Sequence, residues 1–124
     1  MKQLIILILI LSNSLFAYQF KLTSRDYKII NNSQKKSFIE NRLKRYEELK
    51  IKIKDYELIK KLSHTNTFIN RILPQFDSKS TGINDHWATP KEFLINGYGD
   101  CEDYAIAKYF TLLELGIKKE NLYF

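Results

Sequence analysis

The chain has 124 residues, of which 20 are Lys or Arg and 14 are Asp or Glu, so its formal net charge is +6. Hydrophobic residues make up 44% of the chain, which is too apolar a composition for wholesale disorder. The single cysteine excludes an intrachain disulfide framework and any multi-cysteine zinc or iron–sulfur site. The length allows one small domain.

Residues 1–17 have the pattern of a secretory signal peptide. Lys2 supplies the positive start, an apolar run extends from Leu4 to Leu11, and Ala17 offers the cleavage position. The run is shorter than the roughly 20 apolar residues of a membrane span. A buried N-terminal helix is the alternative. We therefore predict an exported protein whose domain occupies residues 18–124.

Charge is unevenly distributed along the chain. Residues 35–61 hold ten Lys or Arg and five Asp or Glu, whereas residues 74–124 hold five and eight. Two oppositely charged binding surfaces would explain this division, and so would solvated helix faces. Export argues against a nucleic-acid partner for the basic part.

The first half of the domain has helical periodicity. We predict two antiparallel helices, over about 34–50 and 54–73, with Ser33 as the N-cap of the first and a break in the alternating Lys50–Lys54 segment. A coiled coil is the alternative, although the pattern holds few heptads. The predicted apolar stripe comprises Phe38, Ile39, Leu43, Tyr46, Leu49, Ile53, Tyr56, Ile59 and Leu62.

A loop over residues 74–88 precedes a short helix with a clear start signal. Thr89 can cap this helix, Pro90 suits its first position and Glu92 completes a capping box. Gly97 should end it.

A second helix should follow the Gly97-Tyr98-Gly99 connection. Asp100 is its predicted N-cap, with Asp103 at the third position of the first turn, and Gly116 should end it. The predicted buried stripe is Ile106, Tyr109, Phe110 and Leu113, and residues 121–124 have strand character.

Cys101 falls in the first turn of this helix. Unpaired N–H groups and the helix dipole stabilise a thiolate there, as nucleophilic cysteines require. A small side chain that packs the helix start is the alternative.

Carboxylates surround Cys101 at Asp100, Glu102 and Asp103, and their charge opposes a thiolate. A bound Ca²⁺ would offset that charge, because a hard cation prefers oxygen ligands. Helix capping alone is the alternative. A thiolate nucleophile also needs a base, and neither His64 nor His86 has a spacing that ties it to Cys101 or, with Asp85, to a zinc site.

Two motifs resemble a known family. They are WATPKEFL (residues 87–94) and GYGDCEDYAIAKY (residues 97–109), with a further similar segment at residues 66–70. They resemble the bacterial transglutaminase-like cysteine proteinases, which include the LapG-like periplasmic peptidases. The resemblance implies an α+β papain/transglutaminase-like fold, of which this chain holds mainly the α-helical lobe, with the C-terminal β part missing.

The resemblance also implies a calcium-dependent cysteine peptidase. Cys101 matches the nucleophile, and Asp100 and Glu102 match the calcium ligands. The implied substrate is a large surface adhesin, and the implied regulator is an inner-membrane receptor that senses cyclic di-GMP.

The family places its catalytic His and Asp on strands after the nucleophile helix. We therefore expect a truncated or split peptidase that is inactive alone, with a second chain as a possible source of the strands. A non-catalytic secreted module that binds calcium or a receptor is the alternative.

Overall fold

A computed structural model describes residues 18–74 and 87–122. The predicted signal peptide and most of the predicted loop lie outside the described residues. No helix in the described ranges is both long and apolar enough to cross a membrane. The elements are α1 (Ser24–Asn31), α2 (Lys36–Ile53), α3 (Leu58–Asn70), β1 (Leu73–Pro74), α4 (Pro90–Asn96), β2 (Tyr98–Gly99), α5 (Cys101–Glu114) and a 3₁₀ turn (Lys119–Asn121).

The helices of the first half differ from the prediction in number and position. Helix α1 was not predicted, and Ser33 is not an N-cap: α2 begins after Lys35, whose N–H donates to Ser33 Oγ at 3.1 Å. The alternating lysines do not break α2, which continues to Ile53. It can do so because Lys50 is buried between two carboxylates.

The predicted apolar stripe of this half is only partly buried. Ile39, Leu43, Tyr46 and Ile53 are in the core, whereas Phe38 and Ile59 are each 71% exposed. Because α2 packs against α1, α3 and α4, tertiary contacts and not the period alone select the buried positions.

Helix α5 buries a different face from the predicted one. Asp103, Ala107, Thr111 and Leu112 are buried, whereas the predicted Ile106, Tyr109, Phe110 and Leu113 are only half-buried. Buried Tyr46 explains this choice, because its hydroxyl lies 2.8 Å from Thr111 Oγ1 in the core. Thr111 in turn donates to the Ala107 carbonyl at 2.7 Å.

A short parallel ribbon joins the two halves. Leu73 pairs with Tyr98, and Pro74 with Gly99. Helices α3 and α5 run antiparallel, since Lys61 Nζ donates to the Leu115 carbonyl at 3.0 Å and the Tyr104 hydroxyl donates to the Ile72 carbonyl at the opposite end. This mainly helical structure agrees with the helical lobe expected from the resemblance.

Helix α5 ends as predicted, but the described part of the predicted strand, residues 121 and 122, does not form one. Gly116, at φ +89°, closes a Schellman motif: its N–H donates to Leu113 O at 3.0 Å and the Ile117 N–H to Leu112 O at 3.1 Å. Asn121 belongs to the 3₁₀ turn and not to a strand, and residues 123–124 lie outside the described residues.

Candidate active site

The start of α5 is held by a capping box, as predicted. Asp100 is the N-cap, and its Oδ1 accepts from the Asp103 N–H at 3.5 Å. Asp103 Oδ2 accepts in return from the Asp100 N–H at 3.1 Å. The two side chains fix the backbone on either side of Cys101.

Asp103 also ties this turn to the segment before α4. Its other oxygen, Oδ1, accepts from the Ala88 N–H at 2.8 Å, and the side chain is only 3% exposed. One buried carboxylate thus joins the start of the WATPKEFL motif to the start of α5. The sequence pointed to Asp103 as a helix cap and as one of the carboxylates around Cys101, but it gave no local signal for this second contact.

The glycines between the two helices have separate roles. Gly97 is the C-cap of α4 at φ +74°, in the left-handed region that favours glycine. Gly99 permits a close approach, since a Cβ there would lie 2.6 Å from the Phe93 ring and 2.8 Å from Asp103 Cβ. The connection therefore brings α4 and α5 together tightly.

Cys101 is exposed at the first residue of α5, where its thiol is accessible to a substrate. Tyr104 lies one turn further on, and its hydroxyl donates to the Ile72 carbonyl. Burial raises the pKa of Tyr104, and the nearby charge of Cys101 adds to this rise. The phenol therefore stays protonated and holds the α5 start against the end of α3.

An apolar surface adjoins the thiol. Trp87 is 66% exposed and, with Glu102, Ala105 and Ile106, lines a hollow of about 390 Å³. A neighbouring groove of about 450 Å³ continues along Trp87 and Ile106 to Phe110 and Tyr18, whose rings lie 4.7 Å apart. Burial, followed by the charge of Glu114, raises the pKa of Tyr18 to about 12, so the Tyr18 phenol is uncharged at neutral pH.

Asp100 and Glu102 flank Cys101, as the calcium hypothesis requires. Within residues 18–74 and 87–122, however, no three Asp, Glu, His or Cys side chains converge as a metal-binding group. Asp103 uses both oxygens in hydrogen bonds to backbone N–H groups. The carboxylate chemistry suits Ca²⁺, but these residues would supply only part of its six to eight ligands.

His64 lies far from Cys101. Given the antiparallel packing of α3 and α5, it is level with about residue 112 of α5, and its ring contacts Tyr56 at 5.5 Å between centroids. At 1.5 Å per residue, that position is about 16 Å from Cys101 along the helix. His86 and Asp85 lie outside the described residues, so the zinc alternative is untested there.

An accessible thiol at a capped helix start is an arrangement that cysteine nucleophiles use, and the apolar groove lines the turn of α5 that follows it. The family model described as "Bacterial transglutaminase-like cysteine proteinase BTLCP" matches residues 27–124. This match covers most of the sequence, and the chain belongs to that family. No curated protein matches the chain significantly.

Proposed function

We propose that the chain is a periplasmic, LapG-type cysteine peptidase component with Cys101 as the nucleophile. The observation that carries this proposal is the exposed thiol at the first residue of α5, on a backbone that Asp100 and Asp103 fix from both sides. A fixed, accessible thiolate at a helix N-terminus is the usual geometry of a cysteine nucleophile.

The reaction is acyl transfer. The Cys101 thiolate attacks the carbonyl carbon of a peptide bond, and the C–N bond then breaks as the amine leaves with a proton from a general acid. Water, deprotonated by the same group acting as a base, hydrolyses the thioester and frees the thiol. The N–H groups at the start of α5 can stabilise the developing negative charge.

The proposal requires a general base that the described residues do not supply. His64, the only histidine in the described ranges, is too distant to serve. We propose that the family's strands, which lie outside the described residues, supply the base and pack on the half-buried side chains of Ile106, Phe110 and Leu113. On this account a polypeptide of these 124 residues does not cleave peptides without those strands.

Calcium binding at Asp100 and Glu102 belongs to the same proposal. Its support is the chemistry of the two carboxylates, with backbone oxygens and water needed to complete the ligand set. When bound, the cation would offset negative charge beside Cys101. The adhesin substrate and the cyclic-di-GMP receptor rest on the family resemblance, and the periplasmic location rests on the sequence pattern of residues 1–17.

Cleavage of an internally quenched peptide library tests the peptidase proposal. We expect no turnover by this chain, with or without Ca²⁺. We expect turnover after addition of a polypeptide carrying the family's strands with their His and Asp, and its loss in Cys101→Ala. Turnover by the chain alone would contradict the requirement for the added strands. Turnover that survives Cys101→Ala would contradict the assignment of Cys101 as the nucleophile.

A non-catalytic calcium-binding module is the second candidate, favoured by the distance of His64 from Cys101. Calorimetric titration with Ca²⁺ discriminates the two when read beside the peptide assay. Calcium binding that Asp100→Asn and Glu102→Gln each abolish, without turnover in any combination of chains, would favour the module. An absence of binding at millimolar Ca²⁺ would exclude it.

A further inference from the structure

A basic groove lies on the side of the molecule formed by α2, the end of α3 and the end of α4. It encloses about 570 Å³. Its lining includes four cationic side chains, namely Arg42, Arg45, Lys52 and Arg71, and a single carboxylate, Glu48. The groove therefore has an excess of three positive charges.

These charges are not neutralised within the described part of the chain. Glu48 lies 3.9 Å from Lys44 in an exposed i,i+4 pair, where a salt bridge contributes little. Arg45, Lys52 and Arg71 are exposed, and none of them is within salt-bridge distance of a carboxylate in the described ranges. As far as residues 18–74 and 87–122 show, three cations are thus available to a ligand.

Arg42 has a different role and makes the end wall rigid. Its Nη1 donates to the carbonyls of Leu94 at 2.8 Å and Ile95 at 3.4 Å, at the end of α4. The guanidinium lies over Gly97, where a Cβ would come within 2.4 Å of Nη2. The groove wall is therefore attached to the segment that leads to Cys101.

The rest of the lining is apolar. Leu49 and Phe68 are half-buried and Ile72 is buried in the floor of the groove. A basic rim over an apolar floor suits a peptide that carries both acidic and apolar side chains. An acidic polysaccharide would leave that floor without a matching group.

The groove is also close to the thiol. Gly97 lines it, and Cys101 is four residues further along the chain, so the two Cα atoms are at most about 14 Å apart. A substrate whose scissile bond lies at Cys101 could place residues four or more positions away in the groove. The same polypeptide can therefore occupy both sites.

We propose that this groove is an exosite for an acidic peptide segment of the protein substrate, a few residues from the cleaved bond. The role as an exosite rests on the proposed peptidase function. Arg45, Lys52 and Arg71 contact the acidic side chains, and the apolar floor receives the residues between them. Such contacts accelerate association and select among substrates more than they change the chemical step.

Fluorescence anisotropy with the Cys101→Ser chain tests the exosite without catalysis. The probes are a labelled Glu-Leu-Asp-Ala repeat peptide and its Gln-Leu-Asn-Ala counterpart. We expect only the acidic peptide to bind, and not its amide counterpart. The triple variant Arg45→Gln/Lys52→Gln/Arg71→Gln should weaken this binding by about tenfold or more. The control Lys28→Gln/Lys118→Gln/Lys119→Gln, with the same charge change on exposed residues outside the groove, should have an effect below about twofold.

Equal binding of both peptides, or equal losses in the two triple variants, would overturn the exosite. Loss of binding to phosphatidylglycerol vesicles in the groove variant, with peptide binding unchanged, would assign the groove to a membrane surface and also overturn it. The single variant Arg71→Gln, which should weaken peptide binding by a smaller factor, guards against misfolding of the triple variant. The binding assay uses the Cys101→Ser chain and therefore does not depend on the thiol. If Cys101 proved to be unreactive, the peptidase proposal would fail, but the measured peptide binding would still hold.

Discussion

The segment from Thr89 to Gly116 and the segment from Lys36 to Asn70 reach their structures by different means. In the first, two capping boxes, Pro90 and two left-handed glycines set the ends of both helices from residues a few positions apart. In the second, α2 lacks a side-chain cap and contains a buried lysine, and its position depends on contacts with distant residues. The segment that carries the thiol is thus locally encoded, whereas neither α2 nor α3 has a side-chain cap.

The largest expected loss of stability comes from replacing Asp103, the buried carboxylate that holds the start of α5. Asp103→Ala removes the acceptor of two backbone N–H groups in a site that is 3% exposed. Two unpaired donors should lower the free energy of unfolding by about 4 kcal/mol. Urea denaturation measures this, with Asp55→Ala, at an exposed position, as the control. Equal stability of the two variants would contradict the structural role of Asp103.

The next effect concerns the buried lysine of the tertiary segment. Lys50 Nζ lies 2.8 Å from Glu47 Oε1 and 3.0 Å from Glu114 Oε1, and Glu114 Oε2 has no hydrogen-bond partner among the described residues. Lys50→Met should cost about 2–3 kcal/mol, because it leaves Glu114 partly buried without a cation.

The double variant Lys50→Met/Glu114→Leu sharpens this prediction. It removes both charges and should be more stable than Lys50→Met alone in the same urea denaturation. Lys54→Met, at an exposed position, is the control for loss of a lysine. Additive losses in the double variant would show that the two side chains do not interact.

Two glycine substitutions separate close packing from backbone conformation. Gly99→Ala places a Cβ within 2.8 Å of Phe93 and Asp103 and should cost about 2 kcal/mol through overpacking. Gly116→Ala meets no atom within 4 Å and should cost about 1 kcal/mol, for its positive φ alone. Thermal unfolding compares them, and the reverse order would contradict the close approach at Gly99.

The smallest effect is a pH dependence at α1. The Thr23 backbone hydrogen bond chiefly lowers the pKa of Asp26 from its usual 3.8, and Lys91 Nζ at 3.1 Å adds to this effect. Because the folded pKa lies below the unfolded one, this stabilisation is present above about pH 4 and is lost as the pH falls through the folded value. The stability difference between the wild type and Asp26→Asn should therefore shrink from about pH 6 to about pH 3. A difference that is independent of pH would contradict the shift.

These differences explain how much could be predicted from the sequence. The caps at Thr89 and Asp100 and the glycine ends were predicted correctly, because each depends on neighbouring residues. The sequence did not predict where α2 begins, which face of α5 is buried, or that α2 continues through Lys50. These features depend on contacts between residues far apart in sequence, such as that of Tyr46 with Thr111. Cys101, Asp100 and Glu102 remain predictions as site residues, whereas the second contact of Asp103 was found only from the structure.

Alkylation of Cys101 by iodoacetamide at neutral pH tests the central claim most directly. If Cys101 is a nucleophile whose neighbouring carboxylates bind a cation, Ca²⁺ should accelerate alkylation of the wild type several-fold, because it offsets the charge that opposes the thiolate. Asp100→Asn and Glu102→Gln should each remove the calcium effect, and Asp55→Asn should retain it. Equal rates with and without Ca²⁺ in the wild type would show that these carboxylates are helix caps and not part of a calcium-dependent site.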